Sequence, residues 1–394
     1  MKKFLLLVLL GPSLYGSSSD HVLTNHFRSP HHGHTICHPE YENCKKDQAK
    51  QETLTLTSGV VSMGTKNVGP LFYTGGIQAE NFMGTDEKIH FNALKSIDNN
   101  SKEHLSLDYE QPLFKGPFQL VMSAFSDKFH HIGKDFKALD LHIIKQNFKL
   151  GLAYLFANES EKKIRSELAL EMTNTKDEIR SLGSKSQDRV RKIVITNTYE
   201  GIDGWYGKNL IDFKLKHGMP ELGGSKDRGQ TRVRRDSHTR FWIGNLTLQR
   251  LQKLPYGMNA GVTFVGQVTD RRVAFSELMK PKTPLFWSFY PDIFFLGDSG
   301  YEYKLKLGYE IESKGLLKKS ELYGFFSYFD LRKRGKPSGI SNKLHASSTH
   351  LGFRGQLSEY ADFFAELVIP TKKQLQNEKM VKKGIFGLNF KVKL

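Results

Sequence analysis

Residues 301–311 read Tyr-Glu-Tyr-Lys-Leu-Lys-Leu-Gly-Tyr-Glu-Ile. Tyr301, Tyr303, Leu305, Leu307, Tyr309 and Ile311 alternate with Glu302, Lys304, Lys306, Gly308 and Glu310. In an extended strand successive side chains point to opposite faces, so this segment has one apolar face and one charged face. The apolar face carries tyrosines at both ends of an aliphatic middle. A strand crossing a bilayer has this pattern, with aromatic residues at each interface and aliphatic residues between them. A soluble sheet with one wet face also alternates. The aromatic ends favour lipid outside and water within.

The same pattern recurs on either side. Phe386, Leu388, Phe390, Val392 and Leu394 alternate with Gly387, Asn389, Lys391 and Lys393. Ile164, Leu168, Leu170 and Met172 stand against Arg165, Glu167 and Glu171. Sixteen such segments can be drawn: 52–64, 70–80, 86–97, 103–110, 116–127, 138–156, 162–180, 189–199, 207–218, 238–252, 258–269, 300–312, 319–331, 343–356, 361–370 and 383–394. Connections after even-numbered segments are short, as at Leu254-Pro255-Tyr256-Gly257, and those after odd-numbered segments are often long, as at 219–237, 270–299 and 371–382. Short periplasmic turns and long extracellular loops are the asymmetry of bacterial outer-membrane barrels. The expected fold is all-β, a sixteen-stranded transmembrane antiparallel barrel over 52–394 with a short N-terminal extension.

Composition excludes several alternatives. The 394 residues carry 58 Lys+Arg against 41 Asp+Glu, a formal charge of +17, and only 38% are hydrophobic. No run past the N-terminus approaches the roughly 20 apolar residues of a spanning helix. Aromatic residues make up 12% of the chain, too many for a disordered one. Lys2 and Lys3 followed by Phe4–Leu10, a Gly11-Pro12 break and small residues from Gly16 read as a secretory signal peptide over 1–16. Residues 17–51 hold six histidines and both cysteines and form a periplasmic extension or plug. In an oxidising compartment Cys37 and Cys44 are expected to pair as a disulfide; the alternative is a zinc site using His34, Cys37, His38 and Cys44.

Catalytic patterns are missing or incomplete. Gly297-Asp298-Ser299-Gly300 matches most of a serine-protease nucleophile motif, but Tyr301 follows and no histidine stands in a suitable context. The sequence contains no phosphate-binding loop, GxGxxG or HExxH. The expectation is a protein that is no enzyme, needs no cofactor and binds no nucleic acid, since its basic residues are not gathered on one face. Glu302, Lys304, Lys306, Glu310 and Asp330 are expected to line a water-filled pore. Arg232, Arg234, Arg235, Arg332 and Arg334 fall in long loops, where they could meet lipopolysaccharide phosphates or be solvated without a specific partner. Residues 285–296 are too apolar for water. They are expected to fold into the lumen or against the rim, narrowing the pore, with Trp287, Phe289, Tyr290 and Asp298 as gate residues; the alternative is a surface loop contacting membrane or partner.

Several passages resemble the barrel of two-partner secretion transporters of the ShlB/FhaC/HecB haemolysin-activator type. They are Gly75-Gly76, the stretch Glu80–Asp86, Leu107-Asp108-Tyr109-Glu110-Gln111-Pro112-Leu113, and Leu248, Arg250, Gln252 and Leu254. Gly266-Gln267, Phe275-Ser276-Glu277, Gly297–Tyr301 and Tyr328-Phe329-Asp330 follow in order. The resemblance implies an outer-membrane pore that secretes or activates a partner protein of haemolysin or adhesin type. The alternative is a non-export barrel acting as a diffusion channel or as a structural or adhesive surface protein. Two features depart from the family. Residues 17–51 are too short for the two polypeptide-transport-associated (POTRA) domains expected before the barrel. The family's Val-Arg-Gly-Tyr in the sixth loop is replaced by Trp287-Ser288-Phe289-Tyr290, which leaves Asp330 without the arginine the family would supply.

Overall fold

Each alternating segment forms a strand in the computed structural model. In chain order these are β1 (Thr53–Ser62), β2 (Leu71–Glu80), β3 (Lys88–Ser96), β4 (Lys102–Pro112), β5 (Phe118–His130), β6 (Leu141–Asn158), β7 (Lys162–Ile179) and β8 (Ser184–Ile202). The second half comprises β9 (Lys208–Gly218), β10 (Trp242–Lys253), β11 (Met258–Thr269), β12 (Ser299–Glu312), β13 (Lys319–Arg332), β14 (Lys343–Ser358), β15 (Ala361–Lys373) and β16 (Lys383–Lys393). The structure describes residues 53–62, 71–97, 102–114, 116–130, 140–159, 161–227, 232–234, 236–281, 296–312, 319–335, 342–358, 361–373 and 383–393. The expected signal peptide, the His/Cys extension with Cys37 and Cys44, and Arg235, Trp287, Phe289 and Tyr290 lie outside the described residues.

Every strand pairs antiparallel with its sequence neighbours, and β1 pairs with β16 from Thr55↔Lys393 to Val61↔Gly387, closing the barrel. Closure removes the unpaired edges that an open sheet would expose. About ten residues per strand, rising about 3.3 Å each at about 45° tilt, span about 23 Å, close to the apolar band of an outer membrane.

The sides are inverted relative to a soluble protein. Leu305 and Leu307 are 48% and 51% exposed, while Glu302 on the opposite face of β12 is 3% exposed. Leu107, Leu150, Phe213, Val262 and Leu351 extend the exposed apolar surface around the barrel. Hydrocarbon rather than water is the solvent that accepts such a surface.

Turn chemistry sets the strand register on one side. At the β10–β11 turn Tyr256 and Gly257 both have positive φ (59° and 72°), and the Leu254 N–H donates to Met258 O at 2.9 Å. Two consecutive left-handed residues match the twist of a tight hairpin, which is why glycine occupies the second. At the β8–β9 turn the Asp203 carboxylate accepts the N–H groups of Trp205 and Gly207, each at 3.1 Å, and is gripped by Arg250. Arg250, chiefly, holds its pKa well below the usual carboxylate range. Gln252 donates to Trp205 O at 2.7 Å. Leu248, Arg250, Gln252 and Leu254 thus have a local role: the two polar members fasten the neighbouring turn.

The connections keep the expected asymmetry. Turns after even-numbered strands run from 359–360 to at most 81–87, against 219–241 after β9 and 270–298 after β11. Several strand ends shift by a few residues, and the largest shift is at β8, which begins at Ser184 rather than 189. The β7–β8 hairpin continues well past the apolar band and closes on a single 3-10 turn, Arg180–Leu182, ended by Gly183 at φ 60°. Its outer part is polar on both faces, so hydropathy alternation alone does not mark it as strand.

Candidate functional site

The inward face of the wall is built from paired charges. On β6 and β7 the Lys149 ammonium donates to Glu167 at 2.8 Å, and Arg165 bridges Glu167 and, at 2.9 Å, Glu110 of β4. Across the barrel Lys306 donates to Glu321 at 2.6 Å, with Arg354 on the same carboxylate. A strand face alternating Glu and Lys forms such a ladder because neighbouring strands place opposite charges side by side.

Between these ladders runs a hydrogen-bonded belt. Ser348 Oγ lies 2.7 Å from His350 Nε2, His350 Nδ1 lies 2.8 Å from Glu366, and Tyr323 donates to the second oxygen of Glu366 at 2.8 Å. Serine, histidine and glutamate stand in the atomic order of a nucleophilic relay. However, Ser348 and His350 are 1% and 0% exposed, and Ser348 also bonds Ser327 at 3.0 Å. The His350 ring stacks on Phe325 at 3.9 Å, and Lys304 sits over the same phenyl ring at 3.7 Å from its centre. The belt locks β13, β14 and β15 together and gives no substrate access to Ser348.

The β11–β12 loop meets this wall. Its first part turns inward at a 3-10 turn, Phe275–Glu277. Val273, Ala274, Leu278 and Leu296 pack on Val190 of β8, on Phe241 just before β10 and on Ile243 of β10. Met279 packs on Val265, Phe325 and Phe329. Glu277, 4% exposed, accepts a hydrogen bond from Lys192 of β8 at 2.6 Å and faces Lys216 of β9 at 3.7 Å. Lys192 is shared with Glu171 at 3.0 Å. Burial alone would raise the Glu277 pKa, but Lys192 and Lys216 outweigh it and lower it to about 2. Gln267 donates to Glu277 O at 3.0 Å and to Asp298 O at 2.9 Å, fastening both ends of the loop to β11.

Asp298, fully buried, closes the far end. Its carboxylate accepts two bonds from Arg234, the backbone N–H of Val273 at 2.9 Å and that of Arg334 at 2.7 Å. Asp298 is therefore a structural clamp at the root of the loop. Arg232 pairs with buried Asp188 of β8 and is itself 5% exposed.

These contacts correct two expectations. Arg232 and Arg234 do not face solvent, because their guanidinium groups are spent on buried carboxylates inside the barrel mouth. Asp330 does not face the lumen. The register sets it opposite Tyr301, on the outward face shared by exposed Leu322, and Phe329 turns inward instead. Arg332 donates to Asp330 at 3.2 Å, so a neighbour on its own strand supplies the arginine. Glu302, Lys304 and Lys306 do face inward, and Glu310 shares their parity at the exposed end of β12 nearest β13. Arg332 and Arg334 are exposed. The sequence reading placed Glu171 on the charged face but missed its partners Lys192 and Lys216, whose signal was their position on the inward parity of β8 and β9, next to apolar Ile193 and Leu215.

The model of haemolysin secretion/activation protein ShlB/FhaC/HecB matches residues 46–280. The chain belongs to this family. The family comprises secretion transporters of the outer membrane rather than enzymes. Solved structures share the fold. CdiB from Escherichia coli superposes with a TM-score of 0.70 at 12% identity, over 86% of this chain and 63% of that one. CdiB from Acinetobacter baumannii gives 0.62 at 13%, over 87% and 60%. BamA from Haemophilus ducreyi lacking POTRA domains 1-3 gives 0.57 at 12%, over 87% and 70%. The family member described here thus spans less than two thirds of the length of either CdiB. No curated protein matches it in sequence.

Proposed function

We propose that the chain is an outer-membrane pore that exports an extended partner protein through its charged lumen, with the β11–β12 loop as the gate. The supporting observation is the seat of that loop: Glu277 enters the barrel and binds Lys192 on the wall. Glu302, Lys304, Lys306 and Glu310 line the path, where alternating charges keep a passing chain hydrated. No cofactor, nucleotide or catalytic group takes part. Among the basic loop residues, exposed Arg332 and Arg334 remain available to lipopolysaccharide phosphates. Trp287, Phe289 and Tyr290 are gate residues in this reading, because apolar side chains at the loop tip gain by leaving water.

The test is reconstitution of export in a host that secretes neither protein. The chain is expressed with a large exported product encoded beside it. Partner in the medium only when both are present supports the proposal. Partner confined to the periplasm in both cases, with small solutes still passing, makes the chain a diffusion channel.

A further inference from the structure

The end of the β5–β6 hairpin carries a cluster that export does not use. His130 ends β5 and stands opposite His142 of β6 in register, and Asp140 immediately precedes β6. The Nε2 atoms of both histidines reach the same oxygen, Asp140 Oδ1, at 3.1 and 2.9 Å. The two imidazole rings stack with centres 4.1 Å apart and planes 15° apart. Asp140 has φ 47°, in the left-handed region that aspartate enters more readily than most residues. This kink brings its carboxylate back to both rings. The side chains of His130, Asp140 and His142 are 34%, 41% and 23% exposed, so solutes reach them.

We propose that His130, Asp140 and His142 form a site for a divalent transition-metal ion, of which zinc is the representative. One ligand atom from each residue lies within 4.8 Å of the others. An ion about 2.0–2.2 Å from nitrogen and oxygen fits among atoms so spaced. Two imidazoles and a carboxylate suit zinc, copper or nickel, whereas calcium and magnesium want an all-oxygen shell. The two stacked rings present both Nε2 atoms to one side, beside the Asp140 carboxylate oxygen. The other charged groups here are Arg180, which acts on Asp140, and Glu178, which faces His142 in register. Three protein ligands leave a fourth position for water or an external ligand.

Zinc chloride is titrated calorimetrically into the full chain in detergent micelles, and into His130→Ala, Asp140→Asn and His142→Ala variants. Residues 17–51 bring their own histidines and cysteines, so a Cys37→Ser/Cys44→Ser variant reports binding there. Heat-modifiable electrophoretic mobility confirms that each variant is a folded barrel. The proposal expects one binding event that weakens at least about tenfold in each of the three rim variants and persists in the cysteine variant. Unchanged zinc stoichiometry and affinity in the folded rim variants would overturn it. So would loss of all zinc binding in the cysteine variant alone.

Discussion

Arg234 holds Asp298 through two parallel hydrogen bonds, each 2.6 Å, joining the β9–β10 loop to the root of the β11–β12 loop. The planar guanidinium matches both carboxylate oxygens, and its Nη1 also donates to Val273 O at 2.7 Å. The two loops are therefore tied together at this point. In the proposed export path, a passing chain would meet both loops at this clamp.

Arg234→Lys removes the fork while keeping the charge, and a lysine cannot replace it at a bidentate site. Asp298→Asn leaves the arginine charge without its partner, a change that at a buried pair costs about 3–5 kcal/mol. Both variants are expected to show more frequent and longer openings in single-channel recordings. Asp298→Asn is expected to have the larger effect. Wild-type gating in both would detach the clamp from the gate.

The lipid face gives a stability prediction. Leu307→Arg places a charge near the bilayer midplane and should destabilise the barrel by about 2–4 kcal/mol, read from urea unfolding in liposomes. A charge at inward Gly261 or Thr263 should not carry this lipid penalty. Equal tolerance at Leu307 would contradict the orientation assigned to β12.

In the proposed gate, Glu277 confers acid sensitivity in a defined window. Its pKa is lowered in the folded protein, so its contribution is fully present above the ordinary glutamate value of 4.5 and is lost as pH falls toward about 2. Conductance should stay low and constant from pH 7 to pH 5 and rise below about pH 4. Glu277→Gln should already be open at pH 7 and lose this pH dependence. A wild-type transition near neutrality would assign the sensitivity to another group.

Deleting 282–294 removes the aromatic tip of the loop and leaves Glu277 and Asp298 in place. Burying an aromatic side chain contributes on the order of 1.5–3 kcal/mol, so several together can hold the tip against the wall. The deletion should raise single-channel conductance. Unchanged conductance would place the tip outside the pore.

The barrel was legible in the sequence wherever a strand has lipid on one side and charge on the other. β11 was drawn with its observed limits because Val262 and Val268 alternate with Thr263, Gln267 and Thr269 between clear turns. Where both faces meet water, as in the outer β7–β8 hairpin, alternation fades and the strand start was misplaced. Site residues were harder to read. Parity settled Glu302, Lys304 and Lys306, since they share a strand with unmistakable lipid-facing neighbours. Asp330 was misassigned because Phe329 is an apolar residue that turns inward to pack on the loop residue Met279. The Arg234–Asp298 and Lys192–Glu277 pairs are separated by 64 and 85 residues. Such partners become visible only once the loop is placed in the barrel.

Export is the central claim, and a comparison of secreted proteins tests it most directly. Culture medium from cells lacking the chain is compared with medium from cells in which wild type is restored. One large protein should vanish from the medium, accumulate or be degraded in the periplasm, and return with wild type. An unchanged set of secreted proteins, alongside altered uptake of small solutes, would contradict the account.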